Sequence, residues 1–209
     1  MTQLALELER VEQLLSLENK LHAAGINHLA GVDEAGRGPL AGPVVAAAVV
    51  FPQGVYIKGI NDSKLLSPSR REELYTRIFI EADSIGVGQS SPQEIDQINI
   101  LQASLLAMKR ALENLTAMPD YILVDGLHVI PDYPVHQEAL VKGDRRSFSV
   151  AAASIIAKVE RDRLMVNYHQ TYPEYGFERH KGYPSKAHRI AIKKYGYCDI
   201  HRRSFKVTL

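Results

Sequence analysis

Residues 29–51 read Leu-Ala-Gly-Val-Asp-Glu-Ala-Gly-Arg-Gly-Pro-Leu-Ala-Gly-Pro-Val-Val-Ala-Ala-Ala-Val-Val-Phe, and Asp33 and Glu34 stand as adjacent acids inside this otherwise apolar, small-residue run. A carboxylate taken out of water is costly unless a cation or hydrogen-bond donors compensate it. In an extended chain neighbouring side chains point to opposite faces, so a plain strand aims these two acids apart. Gly36, Gly38 and Gly42 follow at once and permit bends that other residues resist. The Gly36-Arg37-Gly38 loop can bring backbone N–H groups close to a ligand, with Arg37 as a fixed charge. Small residues, a cation and two acids point to a site holding a metal beside a phosphate. A solvated glycine-rich turn explains this stretch equally well when it is taken alone. No Gly-Lys-Ser/Thr follows, which excludes a Walker loop, and no G-x-G-x-x-G suggests a dinucleotide.

The 209 residues suit one domain with a small appendage, expected as an N-terminal helical extension over 1–28 and a catalytic domain over 29–209. The longest wholly apolar run, Val44 to Phe51, is far short of the ~18 residues of a membrane span. Glu7, Glu9 and Glu12 are unlike a secretory leader, and a single cysteine, Cys198, excludes an internal disulfide or a multi-Cys zinc site. A cytoplasmic protein is expected. The net charge of +1 hides an asymmetry: residues 179–209 hold nine Lys/Arg and one acid, and the preceding 178 hold 16 Lys/Arg and 23 acids. The acidic part suits a catalytic site, and the basic tail suits a polyanion or simply a solvated helix end.

Leu4, Leu8, Val11 and Leu15, with Leu14, Leu17 and Leu21, predict an amphipathic helix over 3–24 that packs on the body of the domain. Strands are predicted at 29–34, 43–51, 85–88, 121–124 and 139–142. Ser67-Pro68 opens a helix to about residue 80, with Ser67 as N-cap. Ser91 and Glu94 form a capping box for a helix to about residue 115. Further helices are expected over 150–168 and 185–195, with a proline-bracketed loop at 173–184. Strands alternating with helices imply an α/β layer arrangement around a central mixed sheet.

Asp125-Gly126 ends the fourth strand, and Lys142-Gly143-Asp144 ends the fifth. With Asp33 and Glu34 this makes four acids at strand ends, where open α/β sheets bind ligands. Four converging carboxylates repel strongly unless divalent cations intervene, and oxygen-only ligands suit Mg²⁺ or Mn²⁺ rather than zinc. An isolated Asp-Gly is more often a turn; four together favour phosphodiester cleavage by two ions. The eight histidines contain no close pair with helical metal spacing, so none is assigned as a ligand.

Residues Val32 to Gly42, together with His180-Lys181-Gly182-Tyr183-Pro184, Asn61-Asp62-Ser63-Lys64 and His201-Arg202-Arg203-Ser204-Phe205, resemble the motifs of bacterial ribonuclease HII. The resemblance spans about residues 28 to 206. It implies a ribonuclease H-like fold, with a central mixed β-sheet flanked by helices and a helical, basic C-terminal part. It also implies an endoribonuclease that hydrolyses the RNA strand of RNA–DNA hybrids and cuts 5′ of single ribonucleotides embedded in duplex DNA. Such an enzyme leaves 5′-phosphate and 3′-hydroxyl ends, works with Mn²⁺ or Mg²⁺ as a monomer without a membrane, and serves replication and ribonucleotide excision repair.

By the same resemblance Asp33, Glu34, Asp125 and Asp144 are the catalytic and metal-holding acids. Gly36, Arg37, Gly38 and Tyr183 read the ribose at an RNA-to-DNA junction. Asn61, Ser63, Lys64, Lys142, Ser147 and Arg202 are expected to hold the nucleic acid, although capping of the following helix accounts for Ser147, Ser149 and Ser154 equally well. Lys158, Arg161 and Arg163 are expected on an exposed face. The sister ribonuclease HIII family carries an extra N-terminal domain that a 28-residue lead does not supply. A hybrid-binding protein without catalysis would gain nothing from four mutually repelling acids.

Overall fold

The computed structural model describes residues 3–206, and of α1 it describes the side chains from residue 7 onward, so the Leu4 side chain and residues 207–209 lie outside what is described. Five strands form one mixed sheet in the order β3-β2-β1-β4-β5. The central strand β1 (Leu29–Ala35) runs antiparallel to β2 (Val44–Val50) and parallel to β4 (Tyr121–Asp125). At the edges lie β3 (Ser84–Ser90), antiparallel to β2, and β5 (His136–Leu140), parallel to β4. The α/β fold expected from the alternating pattern is the one observed.

Strand β2 is buried at every position because helices cover both faces, which is why its sequence is a continuous apolar run rather than an alternating one. Ala47 and Val49 face a core built with α2 (Pro68–Glu81) and α4 (Phe148–Thr171), whereas Ala46 and Ala48 face α3 (Pro92–Glu113). Helix α4 lies directly against β1. A Cβ at Gly31 would collide with the Ser149–Val150 backbone at the start of that helix. This close approach brings α4 next to the strand that carries Asp33 and Glu34.

Besides shifts of a few residues at the ends of β3 and α4, the structure departs from the sequence pattern in three places. The helix expected to run unbroken to about residue 115 is interrupted at Asn99 (φ 66°, ψ 166°), whose Oδ1 accepts from the Leu101 and Gln102 amides and caps the second half. Strand β5 covers residues 136–140 rather than 139–142; as an edge strand reading His-Gln-Glu-Ala-Leu it has little apolar periodicity to find. The stretch between Pro173 and Pro184 is not a plain loop, since it holds a 3₁₀ turn (Pro173–Tyr175) and the short helix α5 (Phe177–His180). Beyond it, α6 (Lys186–Tyr195) shares a small core with Leu40, Met165 and Phe177.

Helix α1 (Gln3–Ala23) places Val11 and Leu14 in the main core and Glu18 beside the N-terminus of α4. Glu18 is buried, and its Oε1 accepts from the Ser147 hydroxyl at 2.6 Å and from the Ser149 amide and hydroxyl at 3.0 and 3.2 Å. Burial raises its carboxyl above the ordinary range, and the serine donors offset this only in part. A carboxyl raised in the folded state costs stability as pH climbs through its folded value, so ionised Glu18 contributes less than its hydrogen bonds suggest. We expect Glu18→Ala to lower the unfolding free energy by about 1–3 kcal/mol, because it leaves three donors unpaired. Glu18→Gln, which keeps one acceptor, should lose less. Urea unfolding at neutral pH measures both, and an unchanged midpoint for Glu18→Ala would show that this anchor is dispensable.

Candidate active site

Asp33 and Glu34 both lie within β1, opposite Ala47 and Ala46 of β2, so the strand runs straight through the pair and the glycine bend comes only afterwards. The alternation puts Asp33 on the same face as Gly31, toward α4. Parallel pairing of Val32 with Val124 sets Asp125, at the end of β4, beside Asp33. Leu123 belongs to the same buried cluster as Val150 of α4, and a Cβ on Gly143 would meet both Val150 and Asp125, so Asp125 shares the α4 face. Asp125 Oδ1 accepts from the Gly143 amide at 2.6 Å and ties β4 to the 3₁₀ turn Gly143–Arg145 that carries Asp144.

The acids feel one another. Burial pushes the Asp33 carboxyl well above its ordinary range, and the charges of Glu34, Asp125 and Asp144 push it further. Burial likewise raises Glu34, which the exposed Arg37 guanidinium opposes from 3.3 Å. Asp144 is raised by burial and then by Asp62 and Asp125. Lys64 faces the whole group: burial works against its charge, but Asp33, Asp62, Asp144 and Asp125 outweigh this and raise its pKa.

The glycine loop is held from behind by buried arginines. Arg202 donates to the carbonyls of Gly36, Arg37 and Gly42 at 2.6, 3.0 and 2.9 Å. Arg161 donates to Ala41, Pro43 and Lys181 carbonyls at 3.1, 3.0 and 3.0 Å. Gly36 has φ 101°, and a Cβ there would strike the Arg161 side chain, so both its conformation and its space require glycine. The Tyr183 ring stands over the same loop, 3.6 Å from where a Cβ on Gly38 would sit.

Several expected contacts need correction. Ser147 is fully buried; its hydroxyl donates to Glu18 and accepts from the Val150 amide as the N-cap of α4, so it faces no substrate. Arg202 is buried and shapes the loop instead of meeting a phosphate. Ser63 is buried against Ser154. Arg161 is 1% exposed rather than on an open face. His201, part of the basic C-terminal stretch, is also buried rather than at its surface. Among the other expected contacts, Asn61 is half-buried and Lys142 exposed in the left-handed conformation, with Lys64 exposed beside the acids.

Asp62 was not singled out by sequence reasoning. It is buried, caps the turn at Ser63 and pairs with Arg145 at 3.0 Å. Burial alone would raise its carboxyl, but the Lys64 amide and Arg145 leave it below the ordinary range. A signal for Arg161 did exist, since it continues the helical stripe Ser154, Ala157, Arg161, Met165, whose other members are all buried.

The donor chemistry fits a hard divalent cation: four carboxylates, no sulfur or imidazole, and a desolvated anion at Asp33 among like charges. Among the described residues, however, no group of three or more His, Cys, Asp or Glu is arranged to hold a metal ion in this structure. Asp33 Oδ1 is turned to the Glu34 amide, Asp125 Oδ1 to the Gly143 amide and Glu34 to Arg37.

The Ribonuclease HII family model matches residues 30–208 of this chain. Ribonuclease HII of Caldanaerobacter subterraneus is 53% identical over 199 residues, covering 95% of this chain and 82% of that protein. Among solved structures, ribonuclease H2 from Pyrococcus horikoshii superposes with a TM-score of 0.72 at 34% identity, covering 86% of this chain and 94% of that one. Bst-RNase HIII, solved in complex with Mn²⁺, superposes with a TM-score of 0.64 at 19% identity over 84% of this chain and 65% of that one, a likeness of fold.

Because ionised Asp33 is opposed by burial and by its neighbours, its charge costs stability as pH rises through its raised folded value. We expect Asp33→Asn to melt at least ~2 °C above the wild type at neutral pH in chelator, the shift that about 1 kcal/mol makes in a chain of this size. The gap should narrow as pH falls toward the ordinary carboxylate range. Scanning calorimetry measures it, and a lower melting temperature for Asp33→Asn would contradict the assigned repulsion.

Proposed function

The chain belongs to the ribonuclease HII family and is a ribonuclease H; from that premise we propose that it cuts the RNA strand of RNA–DNA hybrids and the 5′ side of single ribonucleotides embedded in duplex DNA. The products carry 5′-phosphate and 3′-hydroxyl ends. The reading assigns the protein to removal of misincorporated ribonucleotides and RNA primers. The observation that carries it is Asp33 beside Asp125, on one face at the ends of adjacent parallel strands, with the Gly36–Gly38 loop and the Tyr183 ring abutting.

In this reading Asp33, Glu34, Asp125 and Asp144 hold the cation, Mg²⁺ or Mn²⁺. When bound there, such ions would supply Lewis acidity to activate a water and to offset charge on the departing 3′-oxygen, so that no side chain would need to act as general base. Lys64, already drawn to the acids, is placed to meet the phosphate that brings its negative charge to them. The Gly36–Gly38 backbone and Tyr183 meet the sugar. Recognition of a 2′-hydroxyl requires groups that donate and accept, which backbone amides and a phenol provide. The phenol ring is 43% exposed, leaving a face for the neighbouring deoxyribose. Exposed Lys186, Lys193 and Lys194 on α6 add charge toward the backbone of the nucleic acid without reading its sequence. Among the described residues no helix is long and apolar enough to cross a membrane.

The test is cleavage of a DNA duplex containing one ribonucleotide, with and without chelator. Chelation, Asp33→Asn and Asp125→Asn are each expected to abolish cleavage while the variants keep their circular dichroism spectra. Near-normal turnover by either variant removes that residue from the catalytic role. Tyr183→Ala should reduce kcat/KM on this substrate roughly tenfold to a hundredfold, the range of a lost stacking contact. Wild-type activity from that variant would sink the reading of Tyr183.

A further inference from the structure

The segment that presents Tyr183 is fastened by histidines that the catalytic reading leaves unused. His188, on α6, is fully buried, and its Nδ1 lies 2.9 Å from the Tyr183 carbonyl oxygen. Its Nε2 lies 3.1 Å from Nε2 of His201, which is also buried. His201 Nδ1 in turn accepts from the Cys198 amide at 3.0 Å. His180 stacks on His188 at a centroid distance of 4.5 Å; its Nδ1 accepts from the Gly182 amide, and its Nε2 faces the Tyr175 carbonyl.

These contacts fix every proton. A carbonyl only accepts, so His188 must carry its hydrogen on Nδ1. A backbone amide only donates, so the His201 Nδ1 must be bare and its hydrogen must sit on Nε2. The shared Nε2–Nε2 contact then has one donor, His201, and one acceptor, His188. The order runs Cys198 N–H to His201, His201 to His188, His188 to Tyr183 C=O, and it exists only while both rings are neutral. A second proton on either ring would set two donors face to face. Burial favours neutrality, pushing both imidazoles down to about 4. The titratable and charged groups around the pair are His180, Tyr175, Tyr197, Cys198 and Arg203, none of them a carboxylate that would stabilise an imidazolium.

We infer that His188 and His201 are positioning residues for junction recognition, a neutral two-imidazole relay that locks the backbone of Tyr183 over the Gly36–Gly38 loop. The inference rests on the assignment of Tyr183 as the residue that reads the sugar. The relay starts in the turn that leads into Arg202, which holds the same loop from below through the Gly36 and Arg37 carbonyls. The C-terminal segment thus sets both jaws of the sugar site. Tyr183 also accepts from the Ser185 amide, but that contact spans only two residues and fixes the local turn, not the placement against α6.

Two measurements test this. Long-range ¹H–¹⁵N correlation spectra of the full chain at neutral pH should show His188 as the Nδ1–H tautomer and His201 as the Nε2–H tautomer; any other pair of tautomers, or an imidazolium in either, overturns the relay. In kinetics, His188→Phe, which keeps a ring without its hydrogen bonds, should lower kcat/KM on the single-ribonucleotide duplex roughly tenfold more than on a continuous RNA–DNA hybrid. His188→Asn, whose amide restores a donor toward the Tyr183 carbonyl, should recover most of that preference. Combining His188→Phe with Tyr183→Ala should give little loss beyond Tyr183→Ala alone. Equal losses on both substrates, no recovery by His188→Asn, or fully additive losses would reduce His188 to a core residue. If Tyr183→Ala itself spares the single-ribonucleotide duplex, the reading of Tyr183 fails and this inference falls with it. If Tyr183→Ala is selective and His188→Phe is not, only the inference fails.

Discussion

The site depends on two guanidinium groups buried beneath a loop that lies outside the five-stranded sheet and is bridged only at Ala41 to His201 among the described residues. Between the end of β1 and the start of β2 the chain makes a compact turn whose carbonyls point inward, away from water. Buried carbonyls without donors are costly, and side chains with several directed N–H groups are an economical remedy. Arg161 and Arg202 each supply three such bonds, and the six acceptors include residues at 36, 37, 41, 42 and 43 together with Lys181. Lys181 belongs to the segment bearing Tyr183. The same buried charges therefore shape the glycine loop and register the C-terminal segment against it. Lysine would not serve, since a single ammonium cannot span three carbonyls in a planar fork.

Against that rigid loop the acids are under electrostatic load. Asp33 is desolvated among like charges, and the countercharges at hand are Lys64 and Arg37, the second of them exposed. A fold selected for stability alone would place neutral residues here. The repulsion stores an affinity for cations: whatever supplies positive charge to this end of the sheet is favoured by the strain it relieves. The carboxylate–amide bonds at Asp33 and Asp125 keep these side chains oriented meanwhile, and the Asp125–Gly143 bond ties the β4 end to the turn carrying Asp144.

How much of this was legible in the sequence follows physical lines. The strands β1, β2 and β4 are visible because their apolar runs are interrupted only by acids and glycines, and burial on both faces leaves no other pattern. The four acids drew attention because each stands within three residues of a glycine: Asp33 and Glu34 before Gly36, Asp125 before Gly126 and Asp144 after Gly143. The interruption at Asn99 was not legible, because its left-handed backbone is set by a local side-chain cap inside an otherwise helical stretch. Nor were the buried roles of Arg202, His188 and His201, since a charged or titratable residue in a basic tail looks solvated until the carbonyls it serves are known; for Arg161 the helical stripe signals burial but not the carbonyls it serves. For Arg202, and for two of the three bonds of Arg161, those carbonyls lie more than a hundred positions away, at separations of 118 and 166 for example. Short-range periodicity carries no trace of such pairings.

The fate of Ser147 and Ser149 shows how such a pairing redirects function. A helix N-terminus with two serines is a natural cradle for phosphate, and the N-cap of α4, Ser147, stands three residues after Asp144. The protein fills that cradle with its own anion. Glu18 of α1 accepts from both hydroxyls and from the Ser149 amide, and a residue from the N-terminal helix thereby occupies the place where a substrate phosphate would compete. With this end of α4 closed, the positive groups nearest the acids are Lys64 and the exposed guanidinium of Arg37. The start of α4 is thus closed to an outside anion by the packing of α1.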